Sequence, residues 1–193
     1  LDVNGNGLPD DEWYELAGSE YLSPATLHDY RITYSRPVEG KPAVPQGQYI
    51  LDAEYIPWTD SEGESGYVAM NFQHTQDYYP KWVAADELTF RGSRLSNNAL
   101  DVYDNGLYFQ LKSYPWGYVD NHPNSTEGLN SFDISWAVDS YGVPVMLPGA
   151  DFIRVYTALN QYCHWIGETS TEISGARDLH LLPAEPANDS QSE

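Results

Sequence analysis

The sequence has little of two things, cysteine and positive charge. Cys163 is the only cysteine in 193 residues, so the chain has neither an intrachain disulfide nor a zinc site built on several thiolates. Nine basic residues stand against 29 acidic ones, which gives a formal net charge of −20. Nucleic acids and anionic membranes are bound through basic patches, so the composition excludes both as partners. Acidity of this degree suits surroundings rich in divalent cations, outside a cell.

Long apolar runs are also missing. No stretch approaches the ~20 apolar residues that a membrane-spanning helix needs. No secretion signal is visible, but the chain opens on Leu1 and inside a motif, so we expect a processed or truncated product. A secreted protein without disulfides needs another source of stability, and a bound metal would provide one.

The first dozen residues have the pattern of a calcium loop. Counting Asp2 as position one places oxygen-bearing side chains at alternate positions and a glycine where the chain must turn sharply, as calcium sites require. We therefore predict a bound Ca²⁺ whose ligands are Asp2, Asn4, Asn6, the carbonyl of Leu8, and Asp10. The register departs from an EF-hand because Trp13 occupies the last position. The alternative interpretation is an Asn-Gly turn with acids on its surface.

Short segments that alternate apolar and polar residues predict an all-β fold, an antiparallel β-sandwich or jelly-roll-like domain. Strands are expected at residues 30–35, 66–71, 88–92, 107–113, 132–139 and 152–158, with turns at 104–106 and 140–142. One or two short helices are predicted near the N-terminus, within residues 10–18 and from Ser23 onward. Residues 1–182 would form this single domain, and residues 183–193 a flexible acidic tail.

A second candidate site is the segment at residues 114–123, which is too polar and too rich in turn residues for a core strand. Flat rings at the rim of a β-sandwich stack on apolar ligand faces, while nearby Asp and Asn side chains hydrogen-bond the polar edges. The predicted ligand-binding residues are Trp116, Tyr118, Asp120, Asn121 and His122. The alternatives are rings that fill the core, and an Asx-turn at the Asp-Asn pair.

Other aromatic residues also lie beside predicted loops, and for each of them a place in the core is the simpler interpretation. These residues are Trp58, Tyr78, Tyr79, Trp82 and Trp165. Trp136, inside a predicted strand, is expected in the core as well.

Motifs for catalysis are scarce. The five histidines show no metal-ligand spacing, and no nucleotide-binding or nucleophile-elbow motif occurs. Cys163 adjoins His164, but neighbours in a strand point to opposite faces, so a buried apolar role is simpler for the thiol. Glu168 and Glu172 would share a strand face, either with Arg177 as counter-charge or as a solvated acidic surface. An enzyme is therefore not predicted, and a divergent glycoside hydrolase is the catalytic alternative.

Several strings that together span almost the whole chain resemble a family of secreted surface proteins from gut Bacteroidetes, whose members are called cell surface proteins, sometimes with a PKD-like label. The strings are DVNGNGLPDDEWYELAGSEY at 2–21, WGYVDNHPN at 116–124, FDISWAVD at 132–139, DFIRVYT at 151–157 and GETSTEISGARDLHL at 167–181. The resemblance implies a β-sandwich on the outer surface of the cell, anchored by a lipidated N-terminus. It also implies gene neighbours for TonB-dependent uptake, notably of cobalamins. In that family a strand-rich segment precedes the loop, which implies an upstream segment of the same protein as a partner.

These observations favour a calcium-stabilised, non-catalytic domain that binds a ligand at the cell surface. Assistance in the capture of cobalamin or another nutrient is the specific hypothesis. The partners would be a small-molecule or glycan ligand and outer-membrane uptake proteins. Two hypotheses from other classes stay open, a carbohydrate-binding module or divergent glycan-active enzyme, and a structural or adhesive surface domain.

Overall fold

The computed structural model describes residues 1–167, 169 and 171–181, and in this part of the chain the fold is all-β. Its eight strands, all paired antiparallel, are β1 (Glu15–Leu16), β2 (Leu27–Ser35), β3 (Ile50–Asp60), β4 (Ser65–Asn71), β5 (Glu87–Arg94), β6 (Ala99–Asp101), β7 (Phe109–Leu111) and β8 (Ala137–Val138). Helix in the same residues is confined to short 3-10 turns at Glu127–Leu129, Ile134–Trp136, His164–Ile166 and Leu179–Leu181. The prediction of an all-β antiparallel fold is confirmed. The predicted tail at 183–193 lies outside the described residues.

The largest sheet has four strands in the order β4-β3-β2-β5. Its core face is set by the two-residue repeat of strands, which buries Tyr30 and Ile32 in β2 and Ile56 in β3. Ile32 pairs with Asp60, which lies four residues beyond Ile56 on β3, so these side chains share one side of the sheet. The core therefore begins on this face.

An irregular segment at residues 151–163 covers part of that face. The Leu95 N–H donates to the Ala158 carbonyl (2.9 Å), and the Tyr156 hydroxyl accepts a hydrogen bond from the Ser93 N–H (3.1 Å). The Tyr156 ring lies directly against Gly92 of β5. Two smaller sheets, β1-β8 and β6-β7, complete the described fold. The contacts of Tyr156 and Ala158 place the segment 151–163, which is distant in sequence, beside the end of β5 in the large sheet.

Several of the predicted strands are confirmed. Residues 30–35, 66–71 and 88–92 lie within β2, β4 and β5. The strand predicted at 107–113 is present as the shorter β7, and the predicted turn at 104–106 lies in the connection from β6 to β7. Alternating residues and a local turn signal were enough to locate these elements.

Two other predicted strands take a different form. Within residues 132–139 the chain first makes a 3-10 turn, because the Asp133 carboxylate caps it by accepting the Ser135 N–H (2.8 Å). Only Ala137–Val138 then pairs as strand. Trp136 consequently sits half-buried on the 3-10 turn instead of in the core. Residues 152–158 form no strand.

The short helices predicted near the N-terminus are not formed. Glu15–Leu16 pairs with β8 instead, and the Ala17 N–H donates to the Trp136 carbonyl (3.0 Å). The Ser23 hydroxyl accepts the Ala25 N–H (3.3 Å) within a turn and does not start a helix. Long-range partners thus satisfy the backbone groups that a helix would have bonded internally. None of the helical turns in the described residues has the length and apolar character to cross a membrane.

Candidate functional site

The N-terminal loop brings the predicted calcium ligands together. Both oxygens of the Asp2 carboxylate accept backbone hydrogen bonds, one from the Asn6 N–H (3.0 Å) and one from the Gly7 N–H (2.9 Å). The side-chain amides of Asn4 and Asn6 both donate to Asp10, at 3.1 Å and at 3.0–3.2 Å. Four of the five predicted ligand residues therefore meet in one cluster, as their spacing indicates.

Leu8, the fifth predicted ligand, lies in the same turn. Its N–H donates to the Asn6 side-chain oxygen (2.7 Å), while its apolar side chain is exposed. The backbone at Gly5 and Gly7 has positive φ, 70° and 76°, a conformation in which glycine carries no steric penalty. The loop therefore depends on its glycines for shape and on its Asp and Asn oxygens for internal hydrogen bonds.

Asp10 carries the clearest electrostatic signature in the loop. Hydrogen bonds from Asn6 and Asn4 lower the pKa of this carboxyl below its ordinary value. The two amides stabilise the ionised form, and a cation at the same place would stabilise it in the same direction. The loop therefore favours the ionised form of the carboxyl group that the sequence predicts as a metal ligand.

Two acids that the sequence pattern did not identify also belong to this cluster. The Asp11 carboxylate accepts the Val3 N–H (2.8 Å), the Asn4 N–H (3.2 Å) and the Asn4 side-chain amide (3.2 Å). Asp151 accepts the Asp2 N–H (2.9 Å) from 149 residues away. Asp11 adjoins the motif and was within reach of a local search, whereas nothing local indicates Asp151. Among the described residues, no group of three His, Cys, Asp or Glu side chains is arranged to hold a metal; three of the five predicted ligands are asparagines or a carbonyl.

The predicted ligand loop is held against the N-terminal part of the fold. Trp116 is 42% exposed and meets Trp136 edge to face, with ring centroids 4.8 Å apart. The Tyr118 hydroxyl accepts the Glu20 N–H (3.0 Å), and its ring lies so close to Gly18 that a Cβ there would be 2.6 Å away. Burial raises the pKa of Tyr118 to about 12. Of these two rings, Trp116 is the one presented to solvent.

The other three predicted residues divide in the same way. Asn121 pairs with both backbone groups of Tyr114, accepting its N–H (2.7 Å) and donating to its carbonyl (2.6 Å). His122 Nε2 lies 3.2 Å from that carbonyl. Asp120 is exposed, has φ of 54°, and accepts the Glu172 N–H (2.9 Å). Asn121 and His122 thus shape the loop, while Trp116 and Asp120 face outward.

A concavity of about 310 Å³ lies elsewhere, at the end of the four-stranded sheet. It is lined by aromatic rings, carboxylates, amides and one guanidinium: Trp58, Asp60, Glu64, Tyr67, Arg94, Asn160, Gln161 and Tyr162. Sequence analysis had singled out Trp58 alone from this set. A second, much smaller depression is lined by Leu1, Pro9, Asp11, Glu12, Trp13 and Phe152. The predicted residues 116–122 line neither depression.

Of the other residues considered from the sequence, Cys163 has a structural role and Glu168 is not among the described residues. Cys163 is 1% exposed, which confirms a buried apolar role, and burial raises the pKa of its thiol. Glu168 falls outside the described residues, so its pairing with Glu172 or Arg177 stays a prediction. No protein-family model matches the chain, and no curated protein matches it.

Proposed function

We propose that this protein is a calcium-stabilised, non-catalytic domain that binds a ligand at the cell surface. The observation that carries the proposal is the convergence of Asp2, Asn4, Asn6 and Asp10 in one loop. These are hard oxygen donors in the spacing that calcium takes. Asp151 attaches the start of the loop to the C-terminal half. An ion held there would therefore stabilise a long-range contact as well as a turn.

The residues present fit the ion. Calcium accepts carboxylate, amide and backbone carbonyl oxygens in a flexible shell, at distances of roughly 2.3–2.6 Å. Asp2 and Asp10 would supply carboxylates, Asn4 and Asn6 amide oxygens, and Leu8 its carbonyl. The side-chain amides of Asn4 and Asn6 now offset the negative charge of Asp10, and a bound ion would offset it instead.

The resemblance and the loop at residues 116–122 support the proposed location and ligand. The resemblance implies an outer-surface location beside TonB-dependent uptake proteins, so a nutrient such as cobalamin is the proposed ligand. Trp116 and Asp120 are exposed on a loop whose shape is fixed by Tyr118, Asn121 and His122. A fixed loop with an outward ring binds with little loss of conformational entropy.

The non-catalytic part of the proposal rests on the carboxylates at the concavity. The Asp60 side chain accepts hydrogen bonds from the Tyr30 hydroxyl (2.8 Å) and from the Glu62 and Glu64 N–H groups (3.0 and 2.8 Å). Both of its oxygens are therefore engaged within the protein. Glycoside hydrolysis uses a pair of carboxyl groups that act on the substrate, and of the two in this lining only Glu64 has no such partner among the described residues.

The calcium proposal is tested by thermal unfolding with calcium and with EGTA. Calcium at about a hundredfold excess over its dissociation constant should raise the free energy of unfolding by ~2.7 kcal/mol. Asp10→Ala should abolish this increment, because it removes the carboxylate that both asparagine amides now contact. Glu39→Ala removes an exposed acid outside the loop and serves as the matched control. An increment that survives Asp10→Ala, or no response to EGTA, contradicts the proposal.

The ligand proposal is tested by calorimetric titration of the calcium-loaded protein with cyanocobalamin. Trp116→Ala should weaken binding, and Trp82→Ala, which alters a ring that is 87% exposed elsewhere, should not. Binding that both variants retain in full would remove the loop at 116–122 from consideration as a site.

A further inference from the structure

The geometry points to the concavity at the end of the four-stranded sheet as a binding site for a neutral saccharide. This inference rests on the proposed ligand-binding function and gives that function a ligand class. The concavity lies between β3, β4, the end of β5 and residues 160–162. Three properties of its lining favour such a ligand: the aromatic rings, the polar groups that have few partners within the protein, and the charge.

One aromatic ring of the lining is exposed, and another is held in place by packing. Tyr162 is 47% exposed, although leaving aromatic surface in water is unfavourable. The Trp58 indole lies against Gly66 of the neighbouring strand, where a Cβ would come within 2.7 Å of it. The missing side chain at Gly66 therefore lets the indole lie on the backbone of β4. A ring held in this way is ready to stack on the apolar face of a pyranose.

The polar groups divide into those that build the cavity and those left for a ligand. Gln161 belongs to the first kind, since its amide bonds Asn98, Ala99 and Thr169 at 2.8–3.1 Å. Asp60 belongs there too, with its three hydrogen bonds within the protein.

The second kind comprises Arg94, Asn160 and Glu64. Within the described residues, the Arg94 guanidinium and the Glu64 carboxylate have no hydrogen bond or ion pair, and Arg94 only lies over the Tyr30 ring at 5.1 Å. The Asn160 amide makes one long contact to the Tyr30 hydroxyl, at 3.5 Å, and its oxygen accepts nothing from the described residues. Planar groups that offer paired donors or acceptors match the adjacent hydroxyls of a sugar.

Charge and size define the class further. The lining carries two carboxylates and one guanidinium, in a chain of net charge −20, so an anionic ligand would be repelled. A volume of about 310 Å³ is at the lower end of the ~300–1,000 Å³ usual for ligand sites. That space suits one or two sugar rings and is too small to enclose a corrin. A saccharide here and cobalamin at residues 116–122 would occupy separate sites.

The test is a titration of the whole, calcium-loaded chain with neutral cello-, manno- and xylo-oligosaccharides and with an acidic oligogalacturonate, read by calorimetry and by saturation-transfer NMR. We expect at least one neutral series to bind and the acidic one to bind less tightly. Asn160→Ala and Arg94→Gln should each weaken the neutral ligand by about tenfold, because each removes hydrogen bonds to hydroxyls. Trp58→Ala should weaken it further, and Trp58→Phe should retain part of the affinity. Trp82→Ala, which lies outside the cavity, is the control.

Circular dichroism and the melting temperature show whether Trp58→Ala remains folded; if it does not, the two polar variants decide the outcome. The inference is overturned if no neutral series binds, if the acidic ligand binds as tightly, or if all cavity variants bind like the parent. Cobalamin binding that persists in the cavity variants would show that the saccharide site alone has failed. If the folded, calcium-loaded parent protein binds neither a saccharide nor cobalamin, the proposed function itself is rejected.

Discussion

At the scale of single residues, Tyr114 and Tyr118 determine how the loop at 113–122 is attached. Their rings lie 5.1 Å apart, and the Tyr118 hydroxyl accepts the Glu20 N–H (3.0 Å). The Tyr114 hydroxyl donates to the Ser96 carbonyl at 2.5 Å. Burial raises the pKa of each phenol to about 12. The neutral phenols are therefore part of what holds the exposed Trp116 in place.

This arrangement predicts alkaline unfolding. A phenol in the unfolded chain ionises near pH ~10, whereas these two ionise near 12 in the folded protein. A raised acid pKa means that the stabilisation is fully present below pH ~10 and is lost as the pH rises from there through 12. Chemical denaturation across this window should show the decline, with tyrosinate absorbance following it. Tyr118→Phe should flatten the decline, while Tyr141→Phe, which alters an exposed ring, should leave it intact.

Trp116 gives a second prediction at this scale. Its side chain is partly exposed and its described aromatic contact is one edge-to-face pair with Trp136. Such a pair contributes ~0.5–1.5 kcal/mol, so Trp116→Ala should lower the free energy of unfolding by about 1 kcal/mol. Denaturant titration measures this directly. A loss of ~3–5 kcal/mol, typical of an emptied core site, would mean that the ring is structural and not available to a ligand.

At the scale of elements, the sequence indicated strands where alternation is regular and uninterrupted. β2, β4 and β5 have that character, and all three were predicted. β3, the longest strand at 11 residues, was missed. It carries Pro57 and three acids, its pairing with β4 is interrupted by register shifts, and a proline-rich segment precedes it. Its position is set by β2 and β4 on either side, a long-range effect that local pattern does not contain.

The candidate sites show the same limit. The clustering of Asp2, Asn4, Asn6 and Asp10 could be predicted because these residues are neighbours in sequence and have the spacing of a calcium loop, whereas the bound ion stays a prediction. The concavity could not, because Trp58, Arg94 and Asn160 come from separate parts of the chain and meet only through the sheet. In the loop at 116–122, the residue types indicated a binding site but did not distinguish the exposed Trp116 from Asn121, whose amide is bonded to backbone groups. Hydrogen-bond partners decide that distinction.

The packing of the irregular segment 151–163 on β5 can be tested by a substitution that adds one methyl group. A Cβ at Gly92 would lie 2.5 Å from the Tyr156 ring, closer than any ordinary contact, so either the ring or the strand must shift. Gly92→Ala should therefore destabilise the protein by ~1–3 kcal/mol, the range for overpacking. Gly149→Ala meets nothing within 4 Å and should change stability by no more than about 0.5 kcal/mol. Equal effects from the two variants, in denaturant titrations, would contradict the packing of Tyr156 on this strand.

At the scale of the whole molecule, charge opposes compactness. A net charge of −20 in a 193-residue chain creates self-repulsion, and no disulfide is available to offset it. Many large apolar side chains remain exposed, and fully buried ones are few among the described residues. We therefore expect cations to act on this fold in two ways, by general screening and by binding at the predicted calcium loop.

Screening and specific binding can be distinguished by comparing different salts at the same ionic strength. Sodium chloride should raise the melting temperature gradually, because the Debye length shrinks from about 30 Å at 0.01 M to about 10 Å at 0.1 M and surface repulsion falls with it. Calcium at the same ionic strength should raise it further and saturate, whereas magnesium should do less, because it requires a smaller and more regular octahedral shell than this asparagine-rich loop offers. In Asp10→Ala the calcium and magnesium curves should coincide, while the sodium response persists. If calcium and magnesium give the same curve in the parent protein, the ions act by screening alone, and the loop at residues 2–10 is a turn stabilised by its own hydrogen bonds.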